Sequence, residues 1–175
     1  MCLLIGMTGV GKTMLLKRLQ NYTSKGSFTD AEDNPPTIPT VGTNLMNVTI
    51  GRKTEVTVRE LGGAMAPIWS SYFSDCSVLI FMIDASCPTQ ISASCIQLLN
   101  TLTSDKMQKV NVLILLNKVD LPLSMSLGEL RYLLRLEDVV STAPQPITVL
   151  EISAKDGQGL SEVIKWLSVN CKAGS

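Results

Sequence analysis

Eight residues near the start of the chain fit the pattern G-x-x-x-x-G-K-[ST]: Gly6-Met7-Thr8-Gly9-Val10-Gly11-Lys12-Thr13. Glycines in such a loop let backbone N–H groups point at phosphate oxygens, and the following helix adds the positive end of its dipole. Lys12 would carry charge to the terminal phosphates, and the Thr13 hydroxyl would be a magnesium ligand. A plain glycine turn is the alternative, but the apolar strand before the loop and the helix after it favour phosphate binding. The expected phosphate contacts are Gly6, Thr8, Gly9, Val10, Gly11, Lys12 and Thr13.

A second polar group, Asn117-Lys118-Val119-Asp120, closes an apolar strand, where ligands meet open α/β sheets. The Asp120 carboxylate can accept two hydrogen bonds, from N1–H and the exocyclic amine of guanine, a donor pair that adenine lacks. We expect Asn117 to tie this base loop to the phosphate loop and Lys118 to lie along the base plane. Ser153-Ala154-Lys155 follows the last strand, where the Ala154 N–H can meet guanine O6. A polar loop would explain either segment alone, but behind a phosphate loop they predict GTP or GDP as the ligand.

Two shorter segments between these groups could sense the last phosphate. Pro39-Thr40-Val41-Gly42 ends a long polar loop, and Thr40 can reach magnesium and the last phosphate when that loop closes. In Glu60-Leu61-Gly62-Gly63, the Gly63 N–H could meet the last phosphate. Each segment alone has the ordinary explanation of a turn. Together they predict a Mg²⁺ site made of Thr13, Thr40 and, through a water, Glu60.

The elements that must position these residues show as apolar runs alternating with helical segments. Strands are expected at Met1–Ile5, Asn44–Ile50, Thr54–Leu61, Val78–Ile83, Val110–Leu116 and Pro146–Ile152. Helices are expected at Lys12–Tyr22, Ile68–Phe73, Thr89–Thr103, Leu127–Leu136 and Leu160–Cys171. An exposed loop is expected at Ser24–Thr40 and a hairpin turn at Gly51-Arg52-Lys53. The alternation predicts an α/β fold of one domain, residues 1–175, whose six-stranded, mostly parallel sheet has one antiparallel edge strand and helices on both faces.

Composition excludes several classes of function. The chain of 175 residues has 15 basic and 15 acidic residues, so no general field attracts nucleic acid or an anionic membrane, and no direct nucleic-acid partner is expected. Histidine is absent, which removes the commonest general base and zinc ligand. The 5 cysteines form no C-x-x-C pair, which favours reduced thiols in a cytoplasmic protein. No apolar run approaches the ~18 residues needed to cross a bilayer.

The order of these motifs resembles the Ras-like small GTPase superfamily over nearly the whole chain, and within it the Arf and Arf-like family. The segments that carry this resemblance are TIPTVGTN at 37–44, Gly62-Gly63, PIWSSYF at 67–73, NKVDLP at 117–122 and Trp166-Leu167. The resemblance implies a Ras-like P-loop fold, GTP/GDP and Mg²⁺ as cofactors, and a switch whose GTP form binds effector proteins through residues 35–75. It also implies an exchange factor, an activating protein and recruitment by partners to membranes or cilia-related traffic.

The chain departs from this family at several positions. Ala64 replaces the glutamine that orients the attacking water, so we expect no catalytic side chain there and weak intrinsic hydrolysis. Glu60 replaces an aspartate and is one methylene longer. The positions of the family's aromatic triad are held by Thr43, Arg59 and Tyr72. The family's myristoylated N-terminal helix has no counterpart here, so membrane contact is expected to be indirect or weak.

Three functions remain open at this point. The first is a GTP-binding regulatory switch with weak hydrolysis of its own. The second is a nucleotide-loaded interaction module that docks or inhibits partner proteins without useful hydrolysis. The third is a P-loop phosphotransferase, which would need a lid with arginines such as Arg131 and Arg135 and would leave Asn117 to Asp120 without a role.

Overall fold

A computed structural model of the chain describes residues 1–25, 37–50 and 54–171. Most of the long loop expected at Ser24–Thr40, the hairpin turn expected at Gly51-Arg52-Lys53 and the last four residues lie outside the described residues.

Six strands form one sheet in the order β2-β3-β1-β4-β5-β6. Their bounds are Cys2–Gly6 (β1), Thr43–Ile50 (β2), Thr54–Leu61 (β3), Val78–Asp84 (β4), Asn111–Asn117 (β5) and Ile147–Glu151 (β6). β2 pairs with β3 in the antiparallel sense, and every other pair is parallel. The expected six-stranded sheet with one antiparallel edge strand is therefore confirmed. That residues 1–175 form a single domain stays a prediction.

Helices cover both faces of this sheet, as predicted. The α-helices are Lys12–Lys25 (α1), Ile91–Leu102 (α2), Leu127–Leu133 (α3), Leu136–Thr142 (α4) and Leu160–Asn170 (α5). Among the described residues, 3₁₀ helices span Gly63–Asp75, Pro88–Gln90 and Asp105–Met107. One core lies under α1 and α5, and the other lies under α2, α3, α4 and the first 3₁₀ helix. The central strands β1 and β4 are buried at every residue because both faces are covered.

The helix expected at Leu127–Leu136 is wrong in one respect, because the structure has two helices there. α3 begins at a capping box, in which Ser126 Oγ accepts from Glu129 N at 3.1 Å and Ser126 N donates to Glu129 at 2.7 Å. It ends before Arg135, whose backbone is left-handed with φ of 52°. No glycine or proline lies at this break, so the apolar periodicity continues through it and predicted a single helix.

Two other boundaries differ from the sequence prediction by three residues or more. α1 continues past Tyr22 to Lys25, so the first two residues of the expected loop are helical. The short helix expected at Ile68–Phe73 is a 3₁₀ helix that already begins at Gly63, directly after the double glycine. No helix in the described part of the chain is long and apolar enough to cross a membrane.

Parallel pairing brings the loops after several strands to one edge of the sheet. β1 ends at Gly6, where the phosphate loop starts, and β5 ends at Asn117, where the base loop starts. The register pairs Gly6 with Met82 and Asp84 with Asn117, which places the strand ends side by side. This edge holds the candidate site.

Candidate functional site

The phosphate loop wraps a cavity of about 110 Å³ that is also lined by residues 37–40, Glu60 and Gly63. Gly11 has φ of 101°, and a Cβ there would lie 2.5 Å from Asn117 Nδ2. A side chain at this position would therefore be strained and would also push the base loop away. The loop passes directly into α1, which begins at Lys12, and the first N–H groups of a helix have no partner within the helix.

Lys12 lies inside this loop and is only 6% exposed. Its ammonium donates to the carbonyl oxygens of Gly6 at 2.8 Å and Met7 at 2.9 Å. Burial lowers the pKa of Lys12 to about 8, and the nearby Glu60 carboxylate opposes that shift. A phosphate group at this place would restore the charged form, so the geometry suits an anionic ligand.

Three oxygen-bearing side chains meet at the rim of the cavity. The Thr13 hydroxyl donates to Glu60 Oε1 at 2.6 Å, and the Thr40 hydroxyl donates to the same oxygen at 3.1 Å. The two hydroxyl oxygens are themselves 3.1 Å apart. Thr13, at the start of α1, Thr40, at the end of the long loop, and Glu60, on β3, are thus brought together.

This cluster fits a hard divalent cation such as Mg²⁺. Glu60 is 1% exposed, and its second carboxylate oxygen, Oε2, has no hydrogen-bond partner among the described residues. A buried carboxylate oxygen without a partner is costly, and a cation would compensate it. Oxygen donors, including carboxylates, are also the ligands that Mg²⁺ prefers.

The double glycine, Gly62-Gly63, lies between residues 40–42 and the phosphate loop. Gly62 N donates to Gly42 O at 2.9 Å, and Trp69 Nε1 donates to Gly62 O at 3.1 Å. A Cβ on Gly62 would lie 2.3 Å from the carbonyl oxygen of Thr40, and one on Gly63 would lie 2.2 Å from Thr8 N. Close approach of backbones therefore requires glycine at both positions. Ala64, the next residue, is exposed and lies outside the lining described for the cavity.

Asn117 joins the phosphate loop to the base loop. Its Nδ2 donates to Val10 O at 2.8 Å, and its Oδ1 accepts from Ala154 N at 3.0 Å. The side chain is 2% exposed, so both hydrogen bonds are shielded from water. One buried amide thus fixes the spacing between the phosphate loop and the segment Ser153-Ala154-Lys155.

Asp120 is oriented by a neighbouring hydroxyl. Ser153 Oγ donates to Asp120 Oδ1 at 2.7 Å and accepts from Asp156 N at 2.9 Å. These hydrogen bonds connect the Asp120 carboxylate, in the base loop, to the loop after β6 and fix its orientation. The structure therefore places Asp120 against Ser153, whose neighbour in the chain, Ala154, contacts Asn117.

Sequence reasoning missed the partner of Lys118. Its ammonium forms an ion pair with Asp84 Oδ2 at 2.6 Å, and its backbone is left-handed with φ of 70°. Asp84 Oδ1 accepts from the backbone N–H and the hydroxyl of Ser86, at 2.9 Å and 2.6 Å. An acidic residue that closes an otherwise apolar strand was the available signal.

Arg18 was missed as well. It lies on α1, is 4% exposed, and donates from Nε to Ala154 O at 3.1 Å and from Nη2 to Lys155 O. Arg18 therefore fixes the backbone of the loop after β6 at the carbonyls of Ala154 and Lys155. Its position three residues after Leu15, on the apolar stripe of α1, was the signal that it is buried.

Comparison with known proteins adds family information to this geometry. The sequence model of the ADP-ribosylation factor family matches residues 1–171. The chain is 53% identical over 173 residues to human ADP-ribosylation factor-like protein 16, covering 99% of this chain and 87% of that protein. It is 30% identical over 168 residues to ADP-ribosylation factor-like protein 1 of Drosophila melanogaster, covering 95% and 86% of the two chains.

A solved structure shows the same fold. The Arl6 BBS3 small GTPase from Trypanosoma brucei, solved with the bound nucleotide analogue GppNp, superposes with a TM-score of 0.79 at 20% identity. The match covers 96% of this chain and 94% of that one. This likeness confirms the fold class expected from the sequence.

Proposed function

Because the chain belongs to the ADP-ribosylation factor family, we propose that it is a GTP-operated regulatory switch that engages effector proteins in its GTP form. Membership makes it an Arf-like small GTPase with a nucleotide-binding P-loop. The identity of the ligand as GTP/GDP with Mg²⁺, the slow hydrolysis and the use of effectors are the finer parts of the proposal.

One observation carries the switch. The Thr40 hydroxyl is bonded to Glu60 and lies beside Thr13 at the candidate metal site. Two neighbours of Thr40 in the same segment, Ile38 and Val41, are 85% and 98% exposed. A contiguous exposed apolar patch marks a surface that binds partners, and we propose that Ile38 and Val41 belong to such a patch. The position of this surface therefore depends on the groups that would hold the metal and the last phosphate.

Magnesium would be held by Thr13 and Thr40, with Glu60 acting directly or through a water. When bound, the cation supplies charge neutralisation for the terminal phosphates. The chain's own contribution is to hold Thr40 close to Thr13, through Glu60 and through the hydrogen bond between Gly62 and Gly42. The cation and the last phosphate would add to these contacts, so their loss would weaken the hold on Thr40 and favour its release from Thr13.

Guanine selection would come from Asp120. Its carboxylate is oriented by Ser153, and Asn117 and Arg18 fix the backbone of Ala154. The Ala154 N–H donates to Asn117 Oδ1 at 3.0 Å, so a contact with guanine O6 would require this hydrogen bond to be shared or exchanged. Adenine offers an acceptor at N1 and lacks the 2-amino group, so it would present no hydrogen-bond donor to the Asp120 carboxylate.

The phosphotransferase alternative has no support from the two arginines that its lid would need. Arg131 pairs with Glu137 at 2.9 Å and Arg135 with Asp138 at 2.5 Å, and neither arginine lines the cavity at the phosphate loop.

The effectors are proposed to differ from those that recognise an aromatic triad. The Arg59 guanidinium lies over the Tyr72 ring at 5.5 Å from its centroid, so the two side chains form one cation–π unit. Leu45, which pairs with Arg59 across the hairpin, is 54% exposed. The three positions of the aromatic triad thus offer a hydroxyl (Thr43), a cation (Arg59) and one ring (Tyr72), with the exposed Leu45 beside Arg59.

Hydrolysis is proposed to be weak without help. Ala64 carries only a methyl group, which cannot orient a water molecule, so an activating protein would supply the missing group. An exchange factor would set the rate of GDP release. We place the protein in the cytoplasm, with recruitment to membranes or cilia-related traffic by its partners.

A pull-down tests the switch. The protein is loaded with GDP or with a non-hydrolysable GTP analogue, and bound proteins are compared with those on a Thr13→Asn variant. Partners should bind the GTP-analogue form at least about tenfold better, a ratio that corresponds to about 1.4 kcal/mol. Val41→Asp should abolish that binding. Ile96→Asp, at an exposed position of α2, should not. Equal capture by both nucleotide forms contradicts a switch.

Ala64 also favours a second candidate, the nucleotide-loaded interaction module. In that case GTP would stay bound and the protein would act as a docking surface or inhibitor. A single-turnover GTP assay with and without cell extract separates the two functions. Hydrolysis stimulated by extract supports the switch, and no hydrolysis in either condition supports the module.

A further inference from the structure

A buried carboxylate closes strand β4 beside the base loop. Asp84 is the last residue of β4, is 5% exposed, and pairs in register with Asn117 at the end of β5. Burial of a carboxylate is costly unless the charge is paired and hydrogen-bonded. The groups that contact Asp84 therefore indicate why a charge lies at this position.

The two oxygens of this carboxylate contact different residues. Oδ1 accepts from the backbone N–H of Ser86 at 2.9 Å and from the Ser86 hydroxyl at 2.6 Å. Oδ2 lies 2.6 Å from the ammonium of Lys118, which belongs to the base loop. Ser86 thus fixes the orientation of the carboxylate, and the second oxygen is directed at Lys118.

The Lys118 side chain is held at both ends. Its ammonium is paired with Asp84, and its backbone has φ of 70°, a left-handed conformation that is uncommon for lysine. The carbonyl oxygen of Asn117 accepts from Ala85 N at 2.9 Å, and that of Lys118 accepts from Leu121 N at 3.1 Å. The methylene groups between the two ends therefore have little rotamer freedom, although the side chain is 30% exposed.

The segment that begins at Asp84 also contacts the phosphate loop. Residues 84–90 lead from the end of β4 to α2, and Gln90 donates from Nε2 to Thr8 O at 3.1 Å. The segment is thus attached to the base loop through Ala85 and to the phosphate loop through Gln90. The protein itself therefore determines where the Asp84 carboxylate lies.

We propose that Asp84 is a positioning residue for guanine binding, which holds the methylene groups of Lys118 along the plane of the base. This role rests on the proposed function, because it needs a guanine nucleotide at the base loop. Asp84 acts through Lys118 alone. A side chain that is ordered before the ligand binds loses less entropy on binding, so the ion pair strengthens nucleotide retention.

Replacement of Asp84 by asparagine tests this role at nearly constant shape. An amide has one acceptor oxygen, whereas Lys118 and Ser86 both donate, so its NH₂ group faces one of these donors in either orientation. Lys118 loses its anionic partner in both cases. We expect release of fluorescent GDP to become at least about tenfold faster. Asp105→Asn, the same replacement at an exposed position, should not change the rate.

Pyrophosphate separates positioning of the base from a general structural role, because it has phosphates and no base. Its dissociation constant, measured by competition with fluorescent GDP, should stay within about twofold of the unaltered protein in Asp84→Asn. An equal loss of affinity for GDP and pyrophosphate would show that the replacement disturbs the phosphate loop, and it would overturn the proposal.

A double-mutant cycle with Lys118→Met shows whether Asp84 acts through Lys118. Methionine keeps an apolar side chain and removes the ammonium, so Lys118→Met alone should also release GDP about tenfold faster. Asp84→Asn added to it should change the rate by less than about twofold, because the ion pair is already lost. A further tenfold increase in the double variant would show that Asp84 acts through another group.

Ser86→Ala loosens the same carboxylate without changing its charge, and it serves where Asp84→Asn does not fold. It removes the 2.6 Å hydrogen bond to Oδ1 and should make GDP release about threefold faster. The unaltered protein distinguishes the two proposals. No retention of fluorescent GDP by it would contradict the proposed function, whereas unchanged release from Asp84→Asn and Ser86→Ala would contradict only the role of Asp84.

Discussion

The Thr13 hydroxyl donates to Glu60 Oε1 at 2.6 Å, which joins the start of α1 to the end of β3. Thr40 adds a second hydrogen bond to the same oxygen, at 3.1 Å. The longer side chain of glutamate reaches the threonine hydroxyls directly, while Oε2 stays buried without a partner among the described residues. The negative charge of Glu60 is therefore available for a cation.

Replacement of Glu60 by glutamine keeps the shape and removes this charge. We expect the magnesium concentration that half-maximally slows GDP release to rise about tenfold, equivalent to about 1.4 kcal/mol. Release of fluorescent GDP over a magnesium titration measures it. Glu60→Asp keeps the charge and should stay within about threefold of the unaltered protein. Glu55→Gln, exposed on the same strand, is the matched control. Identical titrations for Glu60→Gln and the unaltered protein would remove Glu60 from the metal site.

Asn117 gives a second prediction, on stability and nucleotide retention together. In Asn117→Asp a carboxylate oxygen would face the Val10 carbonyl oxygen, where Nδ2 now donates at 2.8 Å. A buried acceptor without a donor costs about 1–3 kcal/mol, and a charge costs more. We expect a loss of about 3 kcal/mol in the free energy of unfolding, measured with urea, and faster GDP release. Asn100→Ala, exposed on α2, should change neither quantity, and a stable Asn117→Asp with normal GDP release would contradict the role.

Features that depend only on neighbouring residues in the chain could be predicted from the sequence. Strands buried on both faces appear as unbroken apolar runs, so β1, β4 and β5 could be located before the structure was known. The phosphate loop likewise carries its spacing within eight residues. The sheet and its antiparallel edge followed from these elements and are confirmed.

Pairs that depend on tertiary register could not be predicted in this way. Lys118 meets Asp84 only because β4 and β5 place the ends of the two strands side by side. Arg18 reaches Ala154 across 136 positions of the chain. The break between α3 and α4 could not be predicted for another reason. The left-handed residue there is Arg135, whereas such a conformation is usually signalled in the sequence by glycine.

Replacement of Gly62 by alanine tests a steric contact, and the same replacement at Gly128 is its control. Its φ of −58° and ψ of 142° suit alanine, but the added Cβ would lie 2.3 Å from the carbonyl oxygen of Thr40. Gly62→Ala should push Thr40 away from Thr13, lower the free energy of unfolding by about 1–3 kcal/mol and lower the ratio of the GTP affinity to the GDP affinity relative to the unaltered protein. Gly128→Ala meets only Ser126 Oγ, at 3.9 Å, and should stabilise α3 by about 0.5 kcal/mol. A normal GTP to GDP affinity ratio in Gly62→Ala would show that this contact does not position Thr40.

Lys12 predicts the pH dependence of nucleotide binding. Burial lowers the pKa of Lys12 to about 8 in the nucleotide-free protein, and phosphate favours the charged amine. Below pH 8 the amine already carries its proton, whereas above pH 8 binding must take one up, so affinity falls as pH rises. The GDP affinity should decrease about tenfold between pH 7 and pH 9. Calorimetry at pH 8.5, in buffers with different heats of ionisation, should show net proton uptake, and its absence would contradict the shifted pKa.

Guanine selection by Asp120 is tested most directly by displacement of fluorescent GDP with unlabelled GDP, GTP and ATP. GDP and GTP should displace the probe at similar concentrations, whereas ATP should need at least about a hundredfold more, a difference of about 2.7 kcal/mol. Asp120→Ala should lose most of that discrimination. Displacement by ATP at the concentrations that suffice for GTP would contradict a guanine-nucleotide switch.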